Sequence, residues 1–166
     1  YTIQKVKHKL DNLSIGMLGD LKYGRTVHSL TTALSHFNPK FYFIAPQALQ
    51  MPQSYLDELK EKKINFTLES NLLKVSKKLD ILYVTRIQKE RFPDPVEYEK
   101  YKGVYKLDTS LLGNVKKDLK IMHPLPRVDE IDESLDKTEH AIYFEQAANG
   151  IHVRKALLAL VSGKIR

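Results

Sequence analysis

Cysteine is absent from the 166-residue chain, which excludes disulfides and thiolate metal sites and permits a reducing compartment such as the cytosol. No stretch approaches the roughly 18 consecutive apolar residues of a membrane span, and the first residues carry neither a signal-peptide core nor a cleavage pattern. A soluble, cytoplasmic protein without a membrane partner is the simplest expectation. There is no internal repeat, no low-complexity linker and no G-x-G-x-x-G run, since Gly16, Gly19 and Gly24 are spaced differently.

What is present is ordinary globular material. With 42% apolar and 28% charged residues, the chain suits one domain with a single core. The excess of 27 Lys and Arg over 20 Asp and Glu gives a net charge of +7, which permits attraction to nucleic acid, acidic membranes or small anions. The lysines fall in scattered groups (Lys5, Lys7 and Lys9; Lys60, Lys62 and Lys63; Lys77 and Lys78; Lys116, Lys117 and Lys120) with no aromatic residues interleaved. That pattern reads as solvated surface in preference to a nucleic-acid stripe.

Along the chain, Ile3, Val6, Leu10 and Leu13 recur at helical spacing, so the sequence opens inside a helix with no capping residue before it. The run LSIGMLG (13–19) reads as a buried strand, followed by a helix carrying Val27, Leu30, Leu34 and Phe37 on one face. FYFIAP (41–46) reads as a second strand, then a helix from about Pro52, a strand at INFTLE (64–69) and a short helix around Leu72 to Val75. DILYVT (80–85) is the most β-branched and aromatic strand. A charged, proline-bearing segment (87–103) reads as a long loop with some helix, KIMH (120–123) as another strand, and Val153, Ala156, Leu157, Leu160 and Val161 as the stripe of a final helix. Apolar strands alternating with helices predict an α/β fold, a three-layer α-β-α sandwich with a mainly parallel, Rossmann-like sheet. Ligands of such sheets bind beyond the carboxyl ends of the strands.

Three strand ends carry the candidate chemistry. In GDLKYGRT (19–26), Lys22 and Arg25 stand at a helix start, where the backbone dipole is already positive. Without a bound anion, Arg25 there costs a few tenths to about 1 kcal/mol, so the choice is between an anion site and a solvent-facing arginine. In TRIQKER (85–91), Arg86 and Gln88 share a side if the backbone stays extended, and could grip a carboxylate; the alternative is a charged loop in which Glu90 pairs with a neighbouring cation. In HPLPR (123–127), Pro124 and Pro126 hold the residues before them extended and leave carbonyls able to accept an amide N–H, or simply stiffen a turn. His123 reads as a packing or hydrogen-bonding residue before it reads as an acid or base.

Together, GDLKYGRTVHSL, ILYVTRIQKER, MHPLPRVDEI and FEQAANGIHVRKALLALV closely resemble the aspartate carbamoyltransferase catalytic chain, over essentially all 166 residues. That family makes N-carbamoyl-L-aspartate and phosphate from carbamoyl phosphate and L-aspartate, the committed step of pyrimidine synthesis. The resemblance implies a single aspartate-binding domain over 1–166, with 1–12 part of an interdomain helix cut at Tyr1 and 146–162 a helix that returns to a carbamoyl-phosphate domain not contained in this sequence. It implies that Arg25 and Arg86 take the two aspartate carboxylates with Gln88 assisting, and that Leu125 and Pro126, joined by a cis bond, contact the carbamoyl amine. Lys22, Thr26, Glu90 and Arg127 fall in supporting positions. No residue of this half is assigned a catalytic role, and no cofactor or metal is expected. The family's chains form homotrimers with shared sites, and regulatory chains are possible further partners. The sibling ornithine enzymes carry a cysteine in the loop that here reads His-Pro-Leu-Pro and recognise a cationic side chain, which Arg86 would repel. A catalytically inactive binding or assembly module is the remaining alternative.

Overall fold

The computed structural model describes residues 1–87, 90, 92, 95–101 and 103–164. Five strands form one sheet: β1 (Ser14–Leu18), β2 (Lys40–Ile44), β3 (Asn65–Glu69), β4 (Ile81–Val84) and β5 (Lys120–Met122). Their order is β3-β2-β1-β4-β5 and every neighbouring pair is parallel. Among the described residues, five α-helices accompany them: α1 (Thr2–Lys7), α2 (Arg25–Leu34), α3 (Gln53–Glu61), α4 (Pro95–Glu99) and α5 (Tyr143–Val161).

Alternation of side chains across the sheet divides the core in two. Ile15, Met17, Phe41, Phe43, Ile81 and Tyr83 point to one face, where Val27 and Leu34 of α2, Leu56 and Leu59 of α3, and Ile3 of α1 cover them. Leu18, Tyr42, Ile44, Leu82 and Val84 point to the other. Each fully buried Leu, Ile or Phe contributes roughly 1.5–3 kcal/mol relative to exposure. The expected three layers are present, but on the second face the cover is mostly 3-10 turns (Leu72–Lys74, Thr109–Asn114, Glu133–Leu135), with Tyr143 from the first turn of α5. The amino ends of β1 and β4 are tied by Asp80, whose carboxylate accepts from the Ser14 N–H at 2.8 Å and from Lys116 at 2.6 Å.

The first helix is shorter than the sequence expectation, and the last is largely uncovered. The first is a six-residue helix, not one reaching residue 12, because His8 takes a left-handed conformation (φ 56°) that ends it. Leu13 is buried even so, in the extended chain entering β1. The last helix has its expected apolar stripe, yet only Tyr143 and Asn149 are buried in it. Ile151, Val153, Leu157, Leu158, Leu160 and Val161 are all exposed. α5 is held to α1 at its other end, by Lys5–Glu145 at 2.7 Å and by the buried Asn149 amide donating to the Thr2 hydroxyl at 3.1 Å.

The order in which strands are added reverses between β1 and β4: β2 and β3 lie on one side of β1, β4 and β5 on the other. Gly19 lets the two strand ends approach at that point. Its φ is +118°, and a Cβ there would lie 2.1 Å from the Thr85 carbonyl oxygen. Thr85 in turn donates its N–H to the Leu18 carbonyl at 2.8 Å. Gly19→Ala is therefore expected to destabilise the chain by roughly 2–4 kcal/mol, lowering the thermal midpoint by about 5–15 °C. A circular-dichroism melt checks this, and an unchanged midpoint would contradict the close approach.

Candidate functional site

At the carboxyl ends of β1, β4 and β5, residues from three separate loops line one cavity of about 250 Å³: Gly24, Arg25 and Thr26; Thr85 and Arg86; and His123, Pro124, Leu125 and Pro126. This is the crevice that a strand-order reversal opens in a parallel sheet.

The first loop is short and locally specified. Asp20 accepts the Tyr23 N–H at 2.9 Å, and Leu21 donates its N–H to the Leu49 carbonyl at 3.0 Å. Gly24 sits where a Cβ would come within 2.4 Å of the Asp20 carbonyl oxygen, and it caps α2, which begins at Arg25. His28, one turn into α2, donates Nε2–H to the Leu21 carbonyl at 2.8 Å and stacks on Tyr55. Arg25 and Thr26 are thereby delivered to the cavity wall on the first turn of the helix, exposed. Among the described residues, the Arg25 guanidinium makes no ion pair or hydrogen bond. Thr26 faces the buried Tyr83 phenol, whose pKa burial pushes up and the Thr26 bond partly counters. Lys22 is not part of the cavity lining; its ammonium lies over the Tyr23 ring, 4.9 Å from the centroid.

Arg86 follows β4 and is 34% exposed. Its Nη2 donates to Glu90 at 2.6 Å, the i,i+4 pairing anticipated as an alternative for this loop, and the same side chain still lines the cavity. Gln88 lies outside the described residues.

The third loop is the most constrained. The Leu125–Pro126 bond is cis and Leu125 has φ 51°. The Leu125 N–H donates to Nδ1 of His123 at 2.8 Å, and His123 Nε2 lies 2.7 Å from Glu130 Oε1. Glu130 Oε2 accepts the N–H groups of Val128 and Asp129 at 3.2 Å each. Burial pushes the Glu130 carboxyl upward, but the bonds from His123 and the backbone N–H groups outweigh it and hold the group below its ordinary value. The His123 N–H donates to Gln146 of α5 at 3.0 Å.

Arg127 turns away from the cavity. Its guanidinium forks onto Asp136 and also donates to the Tyr143 hydroxyl at 3.2 Å, lying over the rings of Tyr143 and Phe144. The guanidinium bonds hold the Asp136 carboxyl below the usual carboxylate range. Burial, then the bond to Asp136, pushes the Tyr143 phenol up to about 12. Arg127 thus anchors the far end of the turn.

The structure brings Arg25, Thr26, Arg86, Leu125 and Pro126 together and adds Gly24, Thr85 and the wall face of His123. Glu130 and Gln146, which hold His123, carried no signal in the sequence: a Glu seven residues past a His and a Gln inside a helix suit many surfaces. Among the described residues no cluster of His, Cys, Asp or Glu could hold a metal ion. No described helix is long and apolar enough to cross a membrane.

Comparison with known proteins bears on what this cavity is for. A family model described as "Aspartate/ornithine carbamoyltransferase, Asp/Orn binding domain" matches residues 11–161. The aspartate carbamoyltransferase catalytic subunit of Thermococcus kodakarensis is 53% identical over 163 residues, 98% of this chain and 53% of that relative. The catalytic subunit of M. jannaschii aspartate transcarbamoylase superposes with a TM-score of 0.89 at 49% identity, over 98% of this chain and 53% of that one. Trypanosoma cruzi aspartate transcarbamoylase in complex with N-(phosphonacetyl)-L-aspartic acid gives a TM-score of 0.86 at 37% identity, over 95% and 51%. The chain thus spans about half the length of the relatives it matches. With its fold, its three loops and 151 contiguous positions (11 through 161) accounted for by one family model, the chain belongs to the aspartate/ornithine carbamoyltransferase family, as its Asp/Orn binding domain.

Proposed function

We propose that this chain supplies the L-aspartate-binding half of an aspartate carbamoyltransferase, which turns carbamoyl phosphate and L-aspartate into N-carbamoyl-L-aspartate and phosphate in cytoplasmic pyrimidine biosynthesis. The observation that carries the reading is the convergence of Arg25, Arg86 and the turn at 123–126 on one cavity. Two guanidinium groups on a small cavity suit a short dianion, because each planar fork matches a carboxylate in two hydrogen bonds. In this reading Arg25 and Arg86 take one carboxylate each, Gln88 assists at the side-chain carboxylate, and Glu90 orients Arg86. Ornithine would bring an ammonium group toward the same two cations, which disfavours it.

Leu125 and Pro126 offer backbone acceptors for the carbamoyl amine. The uncharged aspartate amine then attacks the carbamoyl carbon; the new C–N bond forms, and phosphate leaves with the electron pair of the broken C–O bond and a proton from the amine. This domain's share is to orient the nucleophile, worth much of the barrier when the reacting atoms are held in line. The oxyanion donors are assigned to a carbamoyl-phosphate domain. No cofactor enters the scheme.

The exposed apolar residues of α5, from Ile151 to Val161, are the surface we assign to contact with that domain, with α1 alongside. The complete enzyme is proposed to be a homotrimer, with regulatory chains as optional partners. Purified alone, the chain is expected to form no measurable carbamoyl-aspartate, and mixing or fusing it with the amino-terminal half of the Thermococcus kodakarensis relative is expected to restore turnover. Turnover by the chain alone, or none by the combination, would contradict the reading.

In that combined enzyme, Arg25→Ala and Arg86→Ala are each expected to lower kcat/KM for L-aspartate by roughly 10–150-fold, the loss of a hydrogen bond to a charged group. Steady-state kinetics checks this, and a loss confined to carbamoyl phosphate would reassign the arginines. Acid sets a further limit through Glu130. A carboxyl held below its ordinary value near 4.5 stabilises the fold above that pH, and the contribution disappears as pH falls through the folded value. Thermal melts between about pH 3 and pH 6 are expected to fall less steeply for Glu130→Gln than for the unmodified chain; parallel curves would show that the carboxylate contributes nothing.

A further inference from the structure

One buried titratable pair, His123 with Glu130, takes no part in gripping substrate in the reading above. Its geometry is nevertheless specific. The side chain of His123 is 1% exposed and its ring joins two parts of the molecule, the turn through Leu125 and the segment after it through Glu130, while its backbone N–H donates to Gln146 of α5. Pro124 and Pro126 have no N–H, so Leu125 carries the single backbone donor of the triplet Pro124-Leu125-Pro126. That donor goes to the ring, at 2.8 Å from Nδ1.

Hydrogen-bond direction assigns the tautomer. An N–H pointing at Nδ1 requires a lone pair there, so the ring proton sits on Nε2 and is donated to Glu130 Oε1 at 2.7 Å. Glu130 is fixed in turn by two backbone N–H groups on its other oxygen. Leu125 also holds φ at 51°, a left-handed conformation that a residue with a branched side chain sustains only where its surroundings impose it. Release of its N–H would free Leu125 to leave that region, rotating the peptide units on both sides, and with them the carbonyls of Pro124 and Leu125, two residues that line the cavity.

We infer that His123 is a positioning residue: through Nδ1 it captures the Leu125 N–H and so fixes the direction of the turn's carbonyls, while Glu130 keeps the ring in the tautomer that can do this. The inference rests on the proposed role of Leu125 and Pro126 toward the carbamoyl amine. It differs from a packing role, in which satisfying buried Glu130 is what matters and the bond to Leu125 is incidental.

Two amide substitutions separate the roles. His123→Asn sets a carbonyl oxygen near the position of Nδ1 and keeps an acceptor for Leu125 but no donor for Glu130. His123→Gln sets an amide N–H near the position of Nε2 and does the reverse. In the enzyme assembled from this chain and the Thermococcus kodakarensis amino-terminal half, His123→Gln is expected to lose roughly 10–100-fold in kcat, with KM for L-aspartate changed less than threefold, about 0.6 kcal/mol. His123→Asn is expected to keep at least about tenfold more kcat than His123→Gln. The reverse order, or equal losses, would overturn the inference and leave the functional reading standing. An inactive unmodified assembly would overturn both. Should neither variant fold, amide hydrogen exchange on the unmodified chain decides: Leu125 is expected to exchange at least about tenfold more slowly than an unstructured amide, and unprotected exchange there would overturn the inference.

Discussion

The contact between Gly19 and Thr85 is the constraint on which the site depends. Two parallel strands that diverge in connectivity, one leading to α2 and the other to the segment carrying Arg86, come within backbone contact there because Gly19 has no side chain and φ +118°. The Thr85 N–H seals the approach by bonding to Leu18. Everything on the cavity wall is positioned relative to that junction: α2 starts at Arg25, a short loop beyond Leu18, with Gly24 as its cap, Arg86 is the next residue after Thr85, and β5 lies against β4 with His123 following directly. A sheet of this order offers no other point where the ends of successive loops face one another across a gap.

Electrostatics then divides the labour among the three loops. Arg25 stands at a helix amino end, where its charge adds to that of the dipole, and the described structure supplies no anion to offset it. Arg86 is partly compensated by Glu90, which fixes its direction while leaving N–H groups on the fork for a ligand. The third loop contributes no charge to the wall. Its ionised groups, Glu130 beneath His123 and Arg127 with Asp136, are turned inward or away and act as fasteners for a neutral turn. Two guanidinium-bearing residues and the neutral Pro124-Leu125-Pro126 turn thus share the lining of one cavity.

How much of this could be read in the sequence follows from which forces are local. The strands were legible because β1, β2 and β4 are buried on both faces and so are almost continuously apolar. The three loops were legible because they begin where those runs end. Resemblance to a known family assigned roles that the residues alone left open between two readings. The joining of the loops was not legible, since it is set by strand order and by the Gly19–Thr85 approach, neither of which is a property of any one segment. Arg127 illustrates the same point: its partner Asp136 is nine residues away, brought close only by the turn at Glu133–Leu135. The helix at the start was overextended because Ile3, Val6, Leu10 and Leu13 keep helical spacing through a residue, His8, whose left-handed backbone ends the helix. The stripe on α5 was correctly placed, and its exposure in this chain agrees with the chain spanning half of its relatives.

The central claim is that the cavity between these loops receives a short dianionic amino acid through Arg25 and Arg86. The most direct measurement is an NMR titration of the isotope-labelled chain, following the side-chain Nε–H signals of Arg25 and Arg86 and the amides of residues 123–127 while L-aspartate, and separately L-ornithine, is added. The account predicts saturable shifts confined to those positions with L-aspartate and none with L-ornithine. Equal responses to both, or shifts that avoid both arginines, would contradict it.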